Sequence, residues 1–168
     1  MAKHIGIVGC TEEGAALCYQ TICREGAAIL GPNTHPEVTV HTFPQSQYDR
    51  YLKAGNWAEV AGLMITSVTK LSRAGAEFAI CPDNSLHQTF DLAVEQSPIP
   101  WLHMVEEVAV EAKHRGFRCL GVLGTRQLME GPVYGTKLTE RGIDHRLPEK
   151  EERGRIDAII IDELVAGR

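Results

Sequence analysis

The sequence predicts an α/β protein of two similar lobes, each a parallel sheet flanked by helices. Three observations predict it. Short apolar runs alternate with longer stretches in which apolar residues recur every three or four positions. The strand-like runs are continuous rather than alternating, as in parallel strands covered on both faces. A strand–Gly–hydroxyl pattern also occurs twice, as Ile5-Gly6-Ile7-Val8-Gly9-Cys10-Thr11 and as Leu120-Gly121-Val122-Leu123-Gly124-Thr125.

Along the chain, Ile5–Val8 is the first strand, and Thr11 caps the helix that follows. Gly26 to Pro36, containing Gly31-Pro32-Asn33-Thr34, reads as an irregular loop. Val38–Phe43 is the second strand, and Pro44–Tyr48 is expected at the rim of a pocket. Asn56–Ala74 is the clearest helix, because Val60, Leu63, Met64, Ser67, Val68 and Leu71 share one face. Asn56 caps it, Glu59 stands at the third position for a reciprocal bond, and Gly75 closes it. Phe78–Cys81 is the third strand; it stops at Pro82, and a helix begins near Leu86. The prolines of Ser97-Pro98-Ile99-Pro100 interrupt helix propagation and set a boundary between lobes at 1–98 and 99–168. Trp101–Met104 and Leu120–Leu123 read as strands of the second lobe, and 149–165 as its last helix, with Glu149, Glu151 and Glu152 at a solvated start. That helix needs a further strand to bury it, so the second lobe reads as incomplete, and the uncovered edge favours a homo-oligomer.

Bulk properties narrow the function. The 168 residues are 43% apolar and 23% charged, an ordinary globular composition. A net charge of −5 with a pI near 5.8 offers no basic footprint for nucleic acid. No apolar run reaches the length of a membrane span, and Met1-Ala2-Lys3-His4 leads straight into a strand rather than a signal peptide, so no membrane partner is expected. The five cysteines (Cys10, Cys18, Cys23, Cys81, Cys119) form no CxxC pair, which predicts reduced thiols in a cytoplasmic protein. No ligand spacing for a metal and no phosphate-binding glycine loop is present, so neither a metal nor a nucleotide cofactor is expected.

Pro82-Asp83-Asn84-Ser85 is the segment richest in chemistry. A strand that ends in proline and re-enters a helix turns unpaired N–H groups toward whatever lies beyond the strand tip. Asn84 and Ser85 add donors suited to a carboxylate, and Asp83 adds a group that can move a proton once desolvation raises its pKa. Asp83 at such a place can equally cap the helix. Thr125, after Gly124, offers a hydroxyl and an N–H at the equivalent tip of the second lobe, or caps the helix beyond it. Cys10 and Thr11 follow the first strand and are expected to line the same cleft as Asp83; a Cys10–Asp83 pair would be a non-identical two-base system. His87, one turn on, either orients the loop or packs, and Cys81, Cys18, Cys23 and Cys119 read as packing residues. Arg50, Lys53 and Arg126 are the cations available for a distal carboxylate or are surface charges.

Pro82-Asp83-Asn84-Ser85-Leu86-His87 resembles the first catalytic loop of the cofactor-independent aspartate/glutamate racemases. Residues 120–129 resemble that family's second strand-and-loop signature, and 149–165 its later helix. The resemblance implies two lobes around one cleft, an isomerase working without pyridoxal phosphate, a small amino-acid or carboxylate substrate, an oligomer, and substrate contacts at Asn84, Ser85 and Thr125. Two departures stand out. Asp83 occupies the place of the family's first catalytic cysteine, and the family's second cysteine, in a late Gly-Cys-Thr-Glu loop, has no counterpart before Arg168. Gly9-Cys10-Thr11-Glu12 matches that loop in letters but lies at the other end of the chain. With one thiol replaced, a decarboxylase or isomerase of small dicarboxylates on the same fold, or a non-catalytic carboxylate-binding protein, are the alternative readings.

Overall fold

A computed structural model describes residues 2–165 and 167. They form two compact units, one running to Leu102 and the other starting at His103. The division falls after Leu102 rather than Pro98 for a structural reason. Ala79 N–H donates to Pro100 O at 2.8 Å and Ala79 O accepts from Leu102 N–H at 3.0 Å, so the residues after Pro98 finish the first sheet. Only Trp101 of the expected strand 101–104 bridges a neighbour, because His103 already caps the next helix.

The first unit runs β1 (Ile5–Gly9), α1 (Glu12–Leu30), β2 (Val38–Thr42), α2 (Gln45–Lys53), α3 (Trp57–Arg73), β3 (Phe78–Ile80), a 3₁₀ turn (Ser85–Thr89) and α4 (Phe90–Glu95). Its parallel sheet has the order β2-β1-β3, and central β1 is buried from Gly6 to Gly9. Right-handed crossovers to either side of β1 place α1 and α3 on opposite faces. α3 carries the core: Val60, Met64, Val68 and Leu71 pack with Val8, Ala79 and Leu86. Asn56 caps it as the sequence predicts, Oδ1 accepting from Glu59 N–H at 3.3 Å. Asn56 N–H, however, donates to Tyr51 O at 2.9 Å instead of to Glu59, and Gly75 ends the helix at φ +96°. α1 extends through Gly26 to Leu30, where a loop was expected; Gly26 is small because His35 and Pro36 press on it, a Cβ there meeting Pro36 Cδ at 2.9 Å.

The second unit holds α5 (Met104–His114), β4 (Cys119–Gly121), α6 (Arg126–Glu130), α7 (Pro132–Thr139), β5 (Asp144–Arg146) and α8 (Lys150–Ile159), which continues as a π-helical turn (Ile160–Leu164). β4 and β5 pair in parallel, and Ala109, Ala112, Val122, Leu138 and Ile143 form a separate small core. Glu149 is more than a solvated start. Its side chain and that of Glu152 make a reciprocal capping box at the head of α8. Among the described residues no helix is long and apolar enough to cross a membrane.

Candidate active site

In an open parallel sheet, ligands bind beyond the carboxyl ends of the strands, where the direction of winding reverses. With the order β2-β1-β3, that point lies between β1 and β3. Their register ends at the pair Ile7 and Ile80, beyond which the chain runs into the loops that carry Cys10 and Asp83. The Cys10 thiol and the Asp83 carboxylate are neighbours at the switch point, each perturbing the other's titration.

Asp83 is held on several sides. Its Oδ1 accepts from Ser85 N–H at 2.9 Å, and Leu86 N–H also donates to the carboxylate. The N–H groups expected to lie open beyond the strand are therefore taken by Asp83, which caps the 3₁₀ turn from within. Burial raises the Asp83 pKa; the bonds from Ser85, Leu86 and Cys10 and the nearby His87 ring oppose this without cancelling it. A carboxyl group above its usual range is a stronger base than an ordinary carboxylate. Burial, followed by the Asp83 charge, pushes the Cys10 thiol well up, so it stays protonated. Cys81 is buried, as the sequence predicts, yet its Sγ turns back toward Asp83 O at 3.8 Å instead of pointing away from the tip.

His87 orients this loop. Its Nε2 lies 3.1 Å from Cys81 O, and since a carbonyl only accepts, Nε2 carries a proton. The ring stacks on Phe90 at 5.0 Å. Asn84 has helical backbone angles and makes no side-chain cap bond, and with Ser85 it is half-buried beside Asp83. Thr11 Oγ1 accepts from Gly14 N–H at 3.2 Å, capping α1. Arg50 and Lys53 are exposed on α2, with the Arg50 guanidinium 5.7 Å from the Tyr51 ring centroid.

The sequence pattern misplaced Tyr48. Expected at a pocket rim, it is fully buried and packs in one core with Cys10 and Cys81. Its neighbours in α2 are mostly polar, so no apolar run pointed to it; the signal was one of two tyrosines, Tyr48 and Tyr51, within Gln45–Lys53.

Residues 5–167 match the family model described as Asp/Glu/Hydantoin racemase. The chain belongs to that family. A broad specificity amino-acid racemase, RacX of Bacillus subtilis, is 27% identical over 109 residues, which cover 64% of this chain and 46% of that protein. The matched stretch thus spans about half of the curated relative's length. Among solved structures, a candidate Asp/Glu racemase of Yersinia pestis superposes with a TM-score of 0.89 at 28% identity, over 98% of this chain and 73% of that one. An aspartate racemase homologue of Pyrococcus horikoshii gives 0.83 at 28% identity, over 100% and 74%. The Picrophilus torridus aspartate racemase, at 16% identity and 0.73 over 99% and 76%, shares the fold.

Within this racemase-family chain, Thr125 lies in the second unit, where its Oγ1 accepts from Leu128 N–H at 3.3 Å and caps α6. A Cβ on Gly124 before it would strike the Leu128 side chain. Thr11 and Thr125 thus repeat one capping design after β1 and β4, as the repeated sequence pattern implies. Arg126 is exposed, its N–H donating to Asp157 Oδ1 at 2.7 Å.

Proposed function

We propose that the chain is a cofactor-independent amino-acid racemase of the aspartate/glutamate type that removes and returns the substrate α-proton, with Asp83 as the base. The observation that carries this reading is the Asp83 carboxylate at the switch point, raised in pKa by burial and fixed by Ser85 and Leu86 beside Cys10. A base above the ordinary carboxylate range is better matched to a weakly acidic α-proton. The proposed substrate contacts are Cys10, Thr11, Asn84 and Ser85, with Thr125 a further candidate. The family and the racemase relative support an amino-acid substrate. A cytoplasmic homo-oligomer belongs to the same reading, supported by the exposed apolar side chains Leu17, Ile29 and Leu30 along α1.

The test is proton NMR of L-aspartate and L-glutamate with the 168-residue chain in heavy water, followed by chiral analysis. The α-proton signal is expected to disappear and the D-isomer to accumulate, and Asp83→Ala to abolish both. Undiminished exchange in Asp83→Ala removes Asp83 as the base. Release of carbon dioxide from a malonate-type substrate without racemisation places the chemistry with the decarboxylases of the same fold. Saturable binding without turnover marks a carboxylate-binding protein.

A further inference from the structure

The loop that carries Asp83 is anchored at both ends, and one side chain spans it. Before it, β3 ends at Ile80 and Cys81 is buried. After it, Leu86 packs in the core with α3, and Thr89 Oγ1 donates to Trp57 O at 3.0 Å, tying the 3₁₀ turn to the start of α3. Pro82 and Asp83 between these anchors belong to no strand or helix. The His87 ring reaches back across them, Nε2–H donating to Cys81 O at 3.1 Å, and so closes a loop of chain with Asp83 inside it. The Cys81 thiol adds a weak inward bond, Sγ to Asp83 O at 3.8 Å. The ring itself is buried and braced. It lies nearly parallel to Phe90, with 11° between planes and 5.0 Å between centroids. Phe90 meets the Trp101 ring edge-on at 5.6 Å, and Trp101 Nε1 donates to Ser97 Oγ at 2.7 Å. Trp101 in turn bridges Ala79, so the brace ends on the same sheet that carries the loop. A phenylalanine at 87 could stack as well; what the imidazole adds is a donor aimed at the strand end.

We propose that His87, braced by Phe90 and Trp101, is a positioning residue for proton abstraction: by closing the loop 81–87 it fixes the direction in which the Asp83 carboxylate faces the substrate. This rests on the racemase reading and adds to it the group that aims the base. The Ser85 and Leu86 N–H groups hold the carboxylate to the turn, and His87 holds the turn to the strand end. Only the two together fix the carboxylate relative to the strand tip. Displacing a reacting group by about 1 Å costs on the order of 100-fold in rate. In this role the imidazole touches no substrate and transfers no proton.

The experiment reads α-proton wash-out from L-aspartate and L-glutamate in heavy water, and titrates the Asp83 side-chain carboxyl by carbon NMR. It uses the full chain and its H87F, H87Q and F90L variants. H87F keeps a ring to stack on Phe90 and lacks the donor, whereas H87Q keeps a donor of similar reach. H87F is expected to exchange about 10- to 100-fold more slowly, and H87Q to stay close to the unaltered chain. The Asp83 midpoint separates positioning from charge. The nearby His87 ring favours the ionised carboxylate, so its loss with the loop in place would raise the midpoint. Loss of positioning instead lets water reach the carboxylate and drops the midpoint toward the ordinary value of about 3.9. The drop is expected in H87F and not in H87Q. H87F that exchanges normally, or whose midpoint rises, overturns the role of His87 while the racemase reading stands. H87Q as slow as H87F overturns it as well, because the donor is then not what matters. Should H87F fail to fold, F90L decides: slower exchange with a lower midpoint supports the proposal, and unchanged values overturn it. No wash-out by the unaltered chain overturns the racemase reading and the role of His87 with it.

Discussion

On the proposed reading, Asp83 serves two purposes that a pair of substitutions separates. As a cap it accepts from the Ser85 and Leu86 N–H groups, and as a base it needs an ionisable oxygen. Asp83→Ala removes both, and loss of such a cap costs about 1–2 kcal/mol. For a cooperative unit of roughly 100 residues, that is a fall in Tm of roughly 4–16 °C. Asp83→Asn keeps a carbonyl oxygen at the same place, so it should melt no lower than the unaltered chain. Above the Asp83 pKa it should melt higher, because no charge is buried. The sign follows from linkage: the folded-state pKa is raised, so the folded state holds this proton more tightly than the unfolded one. Stability from this group is full below the unfolded carboxyl pKa of about 3.9 and is lost as pH rises through the higher folded value. Melting followed by circular dichroism against pH should show this decline in the unaltered chain and not in Asp83→Asn, while both variants lose α-proton exchange. Normal exchange in Asp83→Asn, or identical pH dependence of its Tm, refutes the reasoning.

Further outcomes follow from the same geometry. Because Asp83 must be ionised to accept a proton, exchange should rise with pH through a midpoint above the ordinary aspartate value of about 3.9, and an acid limb at or below that value contradicts the raised pKa. Gly9→Ala would set a Cβ 2.6 Å from Thr42 Cγ2 and 2.8 Å from Ala15 Cβ. Overpacking of this kind costs about 1–3 kcal/mol, read as a lower denaturation midpoint in urea at unchanged slope. His87→Ala leaves Cys81 O without the imidazole and removes the stacking on Phe90. The loss should be about 1–3 kcal/mol in the same urea measurement, and a midpoint equal to the unaltered chain's would show that the ring does not hold the loop.

What was legible in the sequence was whatever burial writes as apolar period or as a cap. α3 shows both, from Asn56 to Gly75, and β1 and β3 are short apolar runs ended by Gly9-Cys10 and by Pro82. The Asp83-Asn84-Ser85 turn was legible as a candidate site because polar residues follow a buried strand at a strand tip. The elements that escaped lack an apolar face. β5 is exposed at Asp144, His145 and Arg146, and α2 buries Tyr48 alone. The end of α1 was hidden by Gly26, which is small to admit Pro36 rather than to break a helix. Register cannot be read from one strand at a time, so the juxtaposition of Cys10 and Asp83 emerged only with the β1–β3 pairing. Likewise, the capture of the Ser85 and Leu86 N–H groups by Asp83 depends on a side-chain direction that composition does not encode.

The most direct test of the central claim is the α-proton signal of L-aspartate and L-glutamate in heavy water with the unaltered chain, read beside Asp83→Asn and followed by chiral separation. Loss of the signal with D-isomer appearing, abolished by Asp83→Asn, is the predicted result. Persistence of the α-proton with both amino acids, or exchange that survives in Asp83→Asn, would contradict it.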